Sequence, residues 1–265
     1  MNSYKPSFLN GIPPVVKNLL AINIIFWLAS TLTPDLFQKL GVNTNLDEIL
    51  GLHYWASPKF NPAQFVTYMF MHAGFFHIFM NIFGLYMFGG VLENLWGSKR
   101  FLFYYIFTGI GAGIVQQIFW TVEFQPLISA LNEAIATKSA EGLANHLVVL
   151  SQYFRIENLN MADTPALLEM KRLFLNSPSL VTVGASGALF GLLLAFWWLF
   201  PDAKMMVFPL PIPIKARILI PLYGLYELYQ GYLRNPTDNV AHFAHLGGMF
   251  FGAIIIFYWK KKHIL

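Results

Sequence analysis

The sequence predicts an all-α polytopic membrane protein, a six-transmembrane-helix bundle with an extramembrane helical insertion between the third and fourth helices. Three observations carry that prediction. Apolar residues make up 56% of the 265 and charged residues 11%, against roughly a quarter charged in ordinary soluble domains. A water-soluble fold of this size has too little interior to hide so much apolar surface, so the excess must face lipid. The chain also carries six apolar stretches close to the length of a bilayer crossing, with basic residues gathered on one side of them.

Residues 1–14 are polar and rich in proline and lack the layout of a secretory signal peptide, so they read as a cytoplasmic tail before a retained first helix. Residues 15–120 hold the first three spans: Val15–Leu32, then Phe75–Trp96 and Arg100–Trp120, with an outer loop at 33–67 rich in Pro, Asn and Asp. Residues 121–179 form the insertion. Within it, Leu127–Phe154 and Pro165–Phe174 space their apolar residues as helices do, with charges between. They are expected to be amphipathic helices outside the membrane, lying on its surface. Residues 180–260 hold the last three spans, Val183–Phe200, Ala216–Tyr232 and Val240–Trp259. Pro209, Pro211, Pro213 and Pro221 crowd the entry to the fifth. Residues 261–265 form a basic cytoplasmic tail.

Ten of the 17 lysines and arginines fall in short segments that a six-span arrangement with both termini inside places in the cytoplasm. That distribution orients the chain with both termini in the cytoplasm, and a multi-pass position in a bacterial plasma (inner) membrane is expected. The net charge of +4 reads as topology, and no nucleic-acid partner is expected. The chain has no cysteine, which excludes disulfides and thiolate metal sites. The sequence leaves the oligomeric state open.

Polar groups inside spans are costly and need a reason. Here they are His77, Asn81, Ser186, Glu227, His242 and His245. All but Glu227 lie at the starts of spans two, four and six, which run in the same direction, so they share one depth a turn or two below the outer surface. Ser186 sits in Gly184-Ala185-Ser186-Gly187-Ala188-Leu189-Phe190-Gly191. Small neighbours leave its hydroxyl open, and a helix start leaves backbone N–H groups free for an oxyanion. The same glycines also make a close-packing face, on which serine is common without chemistry. His245 precedes Gly248 and Gly252 on span six. If spans four and six meet glycine to glycine, His245 reaches Ser186 as a general base; the alternative is a histidine bonded to a carbonyl for structural reasons. His77 and Asn81, four residues apart, share a helical face and are placed to donate to an oxyanion. A metal held by His72, His77, His242 and His245 is disfavoured, because no HExxH is present and no acid accompanies the histidines in the spans beyond the isolated Glu227, which is assigned no role and has packing toward solvent open to it. No metal or other cofactor is expected.

Taken together, these residues resemble the rhomboid family of intramembrane serine proteases. Three elements carry the resemblance: Met71-His72 with His77 and Asn81, Gly184-Ala185-Ser186-Gly187, and Ala244-His245 followed by Gly248 and Gly252. A weaker fourth is Glu93-Asn94-Leu95-Trp96-Gly97-Ser98, closing span two. The resemblance implies a rhomboid-like bundle. In it Ser186 is the nucleophile and His245 the general base, a dyad with no acidic third member and with His242 as the less favoured base. His77, Asn81 and the Ser186 N–H form the oxyanion hole, and Phe190 stacks on the imidazole where many relatives have tyrosine. The implied activity is an endopeptidase cutting transmembrane protein substrates in or near their spans through an acyl-enzyme. Its active site opens to the outer face, and span five is a lateral gate. The alternative is a non-catalytic rhomboid-like membrane protein binder or chaperone. One departure stands out: where rhomboids often carry a Trp-Arg pair, this chain has Ala63-Gln64. The arginine's usual tie to the acid matched by Glu93 is therefore absent, and the outer loop needs another anchor.

Overall fold

All six apolar stretches fall on helices in the computed structural model, which describes residues 11–39, 45–139, 141–146, 164–207, 210–233, 238 and 240–264. In chain order the elements are α1 (Pro14–Lys39), α2 (Leu46–Leu50), β1 (Leu52–His53), α3 (Gln64–Thr67), α4 (Phe75–Gly84), α5 (Gly90–Trp96), α6 (Ser98–Thr137), α7 (Thr164–Leu175), β2 (Val181–Thr182), α8 (Ser186–Leu199), β3 (Lys204–Val207), β4 (Leu210–Lys215), α9 (Ala216–Leu233) and α10 (His242–Lys261). A π-helical turn, Leu85–Gly89, joins α4 to α5, so the second span is one continuous helical rod.

Four helical segments are long and apolar enough to cross a bilayer: 14–34, 75–96, 98–137 and 242–261. The other two are shorter or less apolar. α8 has 14 residues, a length of about 21 Å against a hydrocarbon thickness of roughly 30 Å. It is apolar on all sides and buries Gly187 through Leu192 and Ala195 against its neighbours. A short helix is tolerable at membrane depth when protein surrounds its free ends. Its start therefore lies inside the bundle, below the membrane surface. α9 has 18 residues and buries only Ala216, Ile220, Glu227 and Gly231, which makes it peripheral.

The core gathers α1, the second span, α6, α8 and α10 around Leu85, Leu92, Phe101, Tyr104, Leu192 and Ile256. Tyrosine hydroxyls tie this core across helices: Tyr68 donates to the Gly109 carbonyl at 2.6 Å and Tyr104 to that of Gly191 at 2.8 Å. α1 begins on a carboxylate. Glu93, only 2% exposed, accepts the Val15 and Val16 N–H groups at 2.9 and 2.7 Å and the Ser98 hydroxyl at 2.7 Å. An anion at a helix N-terminus satisfies orphan donors and complements the macrodipole.

The insertion departs from the expectation in more than one respect. The third span does not end at Trp120; α6 runs unbroken for 40 residues through Pro126 to Thr137, about 60 Å, so its distal part extends the transmembrane rod. The expected Pro165–Phe174 helix is α7. Its apolar face does not lie on lipid. Leu167, Met170 and Phe174 close a second core with Phe124, Leu127 and Leu131 of α6 and Tyr54 of the outer loop. The expected Leu127–Phe154 helix breaks after Thr137, where Lys138 has φ +53°, and a separate 3-10 helix spans Glu141–His146; residues 140 and 147–154 lie outside the described residues.

The outer loop is anchored at Gln64, the position where an arginine was missed. Its carbonyl oxygen accepts from His53 N–H at 3.2 Å and Asn61 N–H at 3.1 Å, and its amide donates to the Ile49 and Lys59 carbonyls at 3.1 and 3.0 Å. All four side-chain bonds an amide readily makes are in place. β1 then pairs antiparallel with β2, Leu52 opposite Thr182 and His53 opposite Val181. That pairing clamps the outer loop beside the chain entering α8. The proline-rich stretch before α9 is a hairpin and no part of a helix: β3 pairs with β4 from Lys204–Lys215 inward. Two-stranded ribbons have only edges, where proline's missing N–H is tolerated.

Candidate active site

The start of α8 is set by a backbone that only glycine adopts easily. Gly184 has φ +121° and donates its N–H to the Tyr68 carbonyl at 2.9 Å. A Cβ there would meet His77 Nε2 at 2.6 Å, so both conformation and space require glycine. The chain then turns into α8 at Ser186. The Ser186 hydroxyl donates to His245 Nε2 at 2.8 Å.

Glycine contacts bring the two helices close enough for that bond. A Cβ on Gly248 would lie 1.8 Å from the Gly187 carbonyl oxygen, and one on Gly252 would lie 2.4 Å from Tyr104 Oη and 3.4 Å from Gly191 Cα. A Cβ on Gly187 would meet Ala112 Cβ at 2.5 Å. The expected glycine-to-glycine crossing is thus present, and it is the same feature offered as the alternative to chemistry: packing and site coincide. Phe190, one turn after the serine, stacks on the His245 ring with centroids 4.2 Å apart and planes 8° from parallel.

His77 Nδ1 accepts the Ala73 N–H at 3.4 Å. That assignment leaves Nε2 as the protonated nitrogen, on the side of Gly184 where Ser186 Oγ also lies. Asn81, 4% exposed, donates one amide hydrogen to the His77 carbonyl at 3.0 Å and keeps the second for another acceptor. His72 lies against His77 with ring centroids 5.1 Å apart, and its buried Nε2 has no hydrogen-bond partner among the described residues.

Glu227 was misjudged from sequence. It is 2% exposed and does not face solvent. Its Oε2 lies 2.8 Å from His245 Nδ1 and 2.6 Å from His242 Nδ1. His242 Nε2 in turn lies 3.1 Å from Asp238 Oδ2, while Asp238 Oδ1 accepts the Val240 N–H at 2.9 Å. The reading of an isolated acid fails because α9 packs on α10 with its narrow buried stripe inward. That stripe, Ala216, Ile220, Glu227 and Gly231 at helical spacing, was the available signal. The acid also changes the metal question: Glu227, His242 and His245 bring one ligand atom each within 4.8 Å of one another.

Six apolar helical stretches, a short central one beginning inside the bundle, and a serine hydroxyl bonded to an imidazole on a neighbouring helix define a helical membrane protein with a buried serine–histidine pair. The rhomboid domain model matches residues 59–128 and 164–262, more than half of the chain. The chain belongs to the rhomboid family. Among similar proteins, Rhomboid protein 1, mitochondrial, of Saccharomyces cerevisiae is 28% identical over 192 residues, covering 72% of this chain and 40% of the yeast protein. Putative rhomboid protease YdcA of Bacillus subtilis is 30% identical over 100 residues, 37% of this chain and 46% of its own length. Rhomboid-like protein 11, chloroplastic, of Arabidopsis thaliana is 44% identical over 52 residues, 20% of this chain and 19% of its own. The chain thus spans less than half the length of each of these relatives.

Proposed function

We propose that this chain is an active intramembrane serine endopeptidase, with Ser186 as nucleophile and His245 as general base. The observation that carries the reading is the 2.8 Å bond from the Ser186 hydroxyl to His245 Nε2, with the imidazole held flat against Phe190. Ser186 Oγ attacks the scissile carbonyl while its proton passes to His245 Nε2. The oxyanion takes hydrogen bonds from His77 Nε2–H and from the Ser186 N–H, which is free at the helix start. Asn81, on the same face as His77, supplies its second amide hydrogen. His245 then protonates the leaving amine, and water resolves the acyl-enzyme.

The substrates are transmembrane proteins. A helical segment hides its carbonyls in its own hydrogen bonds, so cleavage falls where a span is easily unwound, near its outer end. In this topology both termini lie in the cytoplasm and the site opens to the outer face of a bacterial plasma membrane. α9, with few buried residues, is the gate for lateral entry.

Ser186→Ala in a reporter assay with a transmembrane substrate tests the reading. We expect cleavage and covalent labelling by a fluorophosphonate to disappear together. Equal cleavage by variant and parent, or an inert parent, would favour the non-catalytic binder, although such relatives typically lack the serine or histidine that this chain keeps.

A further inference from the structure

We propose that Glu227 is a positioning residue for His245, which makes the catalytic unit a serine–histidine–glutamate relay supplied by three helices. The proposal rests on the protease reading above and extends it. His245 faces a different partner at each ring nitrogen: Ser186 Oγ at Nε2 and Glu227 Oε2 at Nδ1. A carboxylate only accepts, so Nδ1 carries the hydrogen. The neutral ring then has its lone pair on Nε2, the tautomer that accepts the serine proton. When that proton arrives, the carboxylate 2.8 Å away opposes the new positive charge at a site where water is scarce.

A buried carboxylate needs its own partner, and His242 provides it. The ring lies between two acids, Glu227 at 2.6 Å from Nδ1 and Asp238 at 3.1 Å from Nε2. An imidazolium donates to both; a neutral ring donates to one, and the other carboxyl must then hold the proton. With its hydrogen on Nδ1, as the imidazolium or as that neutral tautomer, His242 leaves Glu227 a carboxylate, and the oxygen shared by the two histidines remains an acceptor. His242 is 8% exposed and the Asp238 side chain 24%, so the chain of groups reaches from the loop before α10 down to the nucleophile.

The same three groups are the cluster able to share an ion, yet their spacing favours hydrogen bonds. Ligands on a tetrahedral zinc sit about 3.3 Å apart, given bonds of about 2.0–2.1 Å. The observed nitrogen-to-oxygen distances are 2.6 and 2.8 Å. A pin that merely holds the gate helix α9 against α10 is the other rival.

The experiment compares the purified full chain with Glu227→Gln, Glu227→Asp and Ser186→Ala in detergent. Fluorophosphonate labelling rate, kcat and KM on a transmembrane reporter, melting temperature and bound zinc are read for each. We expect Glu227→Gln to lose at least ~10²-fold in kcat and in labelling rate with KM little changed and no bound zinc, and Glu227→Asp to recover part of the loss. Labelling does not require a substrate helix to enter laterally, so a gate pin would leave it unchanged or faster in Glu227→Gln. That result, parent-like kcat, unfolding of both Glu227 variants, or stoichiometric zinc whose removal abolishes labelling would overturn the positioning role. An inert parent would instead overturn the protease reading itself.

Discussion

Three side chains at the centre of the molecule are fixed by atoms that are absent. Gly184, Gly187 and Gly248 have no Cβ, and each missing atom would overlap a neighbour: His77 Nε2, Ala112 Cβ and the Gly187 carbonyl respectively. Gly248→Ala meets backbone at 1.8 Å, which cannot yield as a flexible side chain does. We expect it to force α8 and α10 apart, lower stability by about 1–3 kcal/mol and abolish fluorophosphonate labelling. Gly90→Ala, whose Cβ finds its nearest neighbour at 3.9 Å, is the control and should melt at or above the parent temperature. The glycine spacing was readable from the chain because it recurs at four-residue intervals beside the serine and the histidine. Glu227 was not, since one acid among Tyr223, Tyr226 and Tyr229 on a helix of uncertain facing has two plausible sides. Only packing on α10 selects the buried one.

At the level of elements, two polar side chains organise whole segments. Glu93 receives the first turn of α1 and the Ser98 hydroxyl on α6, joining three elements through one carboxylate. Glu93→Gln keeps the shape but turns half of the acceptor into a donor that faces an N–H. The expected loss is about 1–3 kcal/mol, with faster hydrogen exchange at Val15 and Val16; unchanged exchange there would deny the cap. Gln64 does comparable work for the outer loop, with four bonds that replace an arginine-to-acid tie by amide-to-backbone ones. The absence of the Trp-Arg pair was visible in the sequence, but its replacement was not. The partners of Gln64 lie at residues 49, 53, 59 and 61, and their carbonyls and N–H groups carry no residue signature. The hairpin before α9 was missed for a similar reason: prolines at 211 and 213 argue against helix and ordinary strand alike, and a free two-stranded ribbon is where they fit.

For the whole molecule, the geometry sets a tension between entry and catalysis. α9 buries only Ala216, Ile220, Glu227 and Gly231, yet Glu227 ties it to both histidines of α10. Removing one partner from such a buried set is costly, typically ~3–5 kcal/mol, so the proposed gating requires α9 to pivot without parting Glu227 from α10. A covalent link between α9 and α4 should therefore stop cleavage of a transmembrane reporter while fluorophosphonate labelling continues. Unchanged turnover would remove α9 as the gate. The insertion belongs to a different compartment of the fold. With its own apolar core against the distal part of α6, it continues the α6 rod, and the outer loop reaches it through Tyr54 on Thr121 and Ser57 on Asn176.

Membrane character, the six helical stretches and the approach of His245 to Ser186 could be derived from order along the chain, because hydropathy, helical period and glycine spacing are local properties. The length of α6, the inward turn of α7 and the pairing of Glu227 with two histidines could not. Each depends on which face of a helix meets which neighbour, and that is settled by the simultaneous burial of apolar surface and polar groups across segments far apart in sequence.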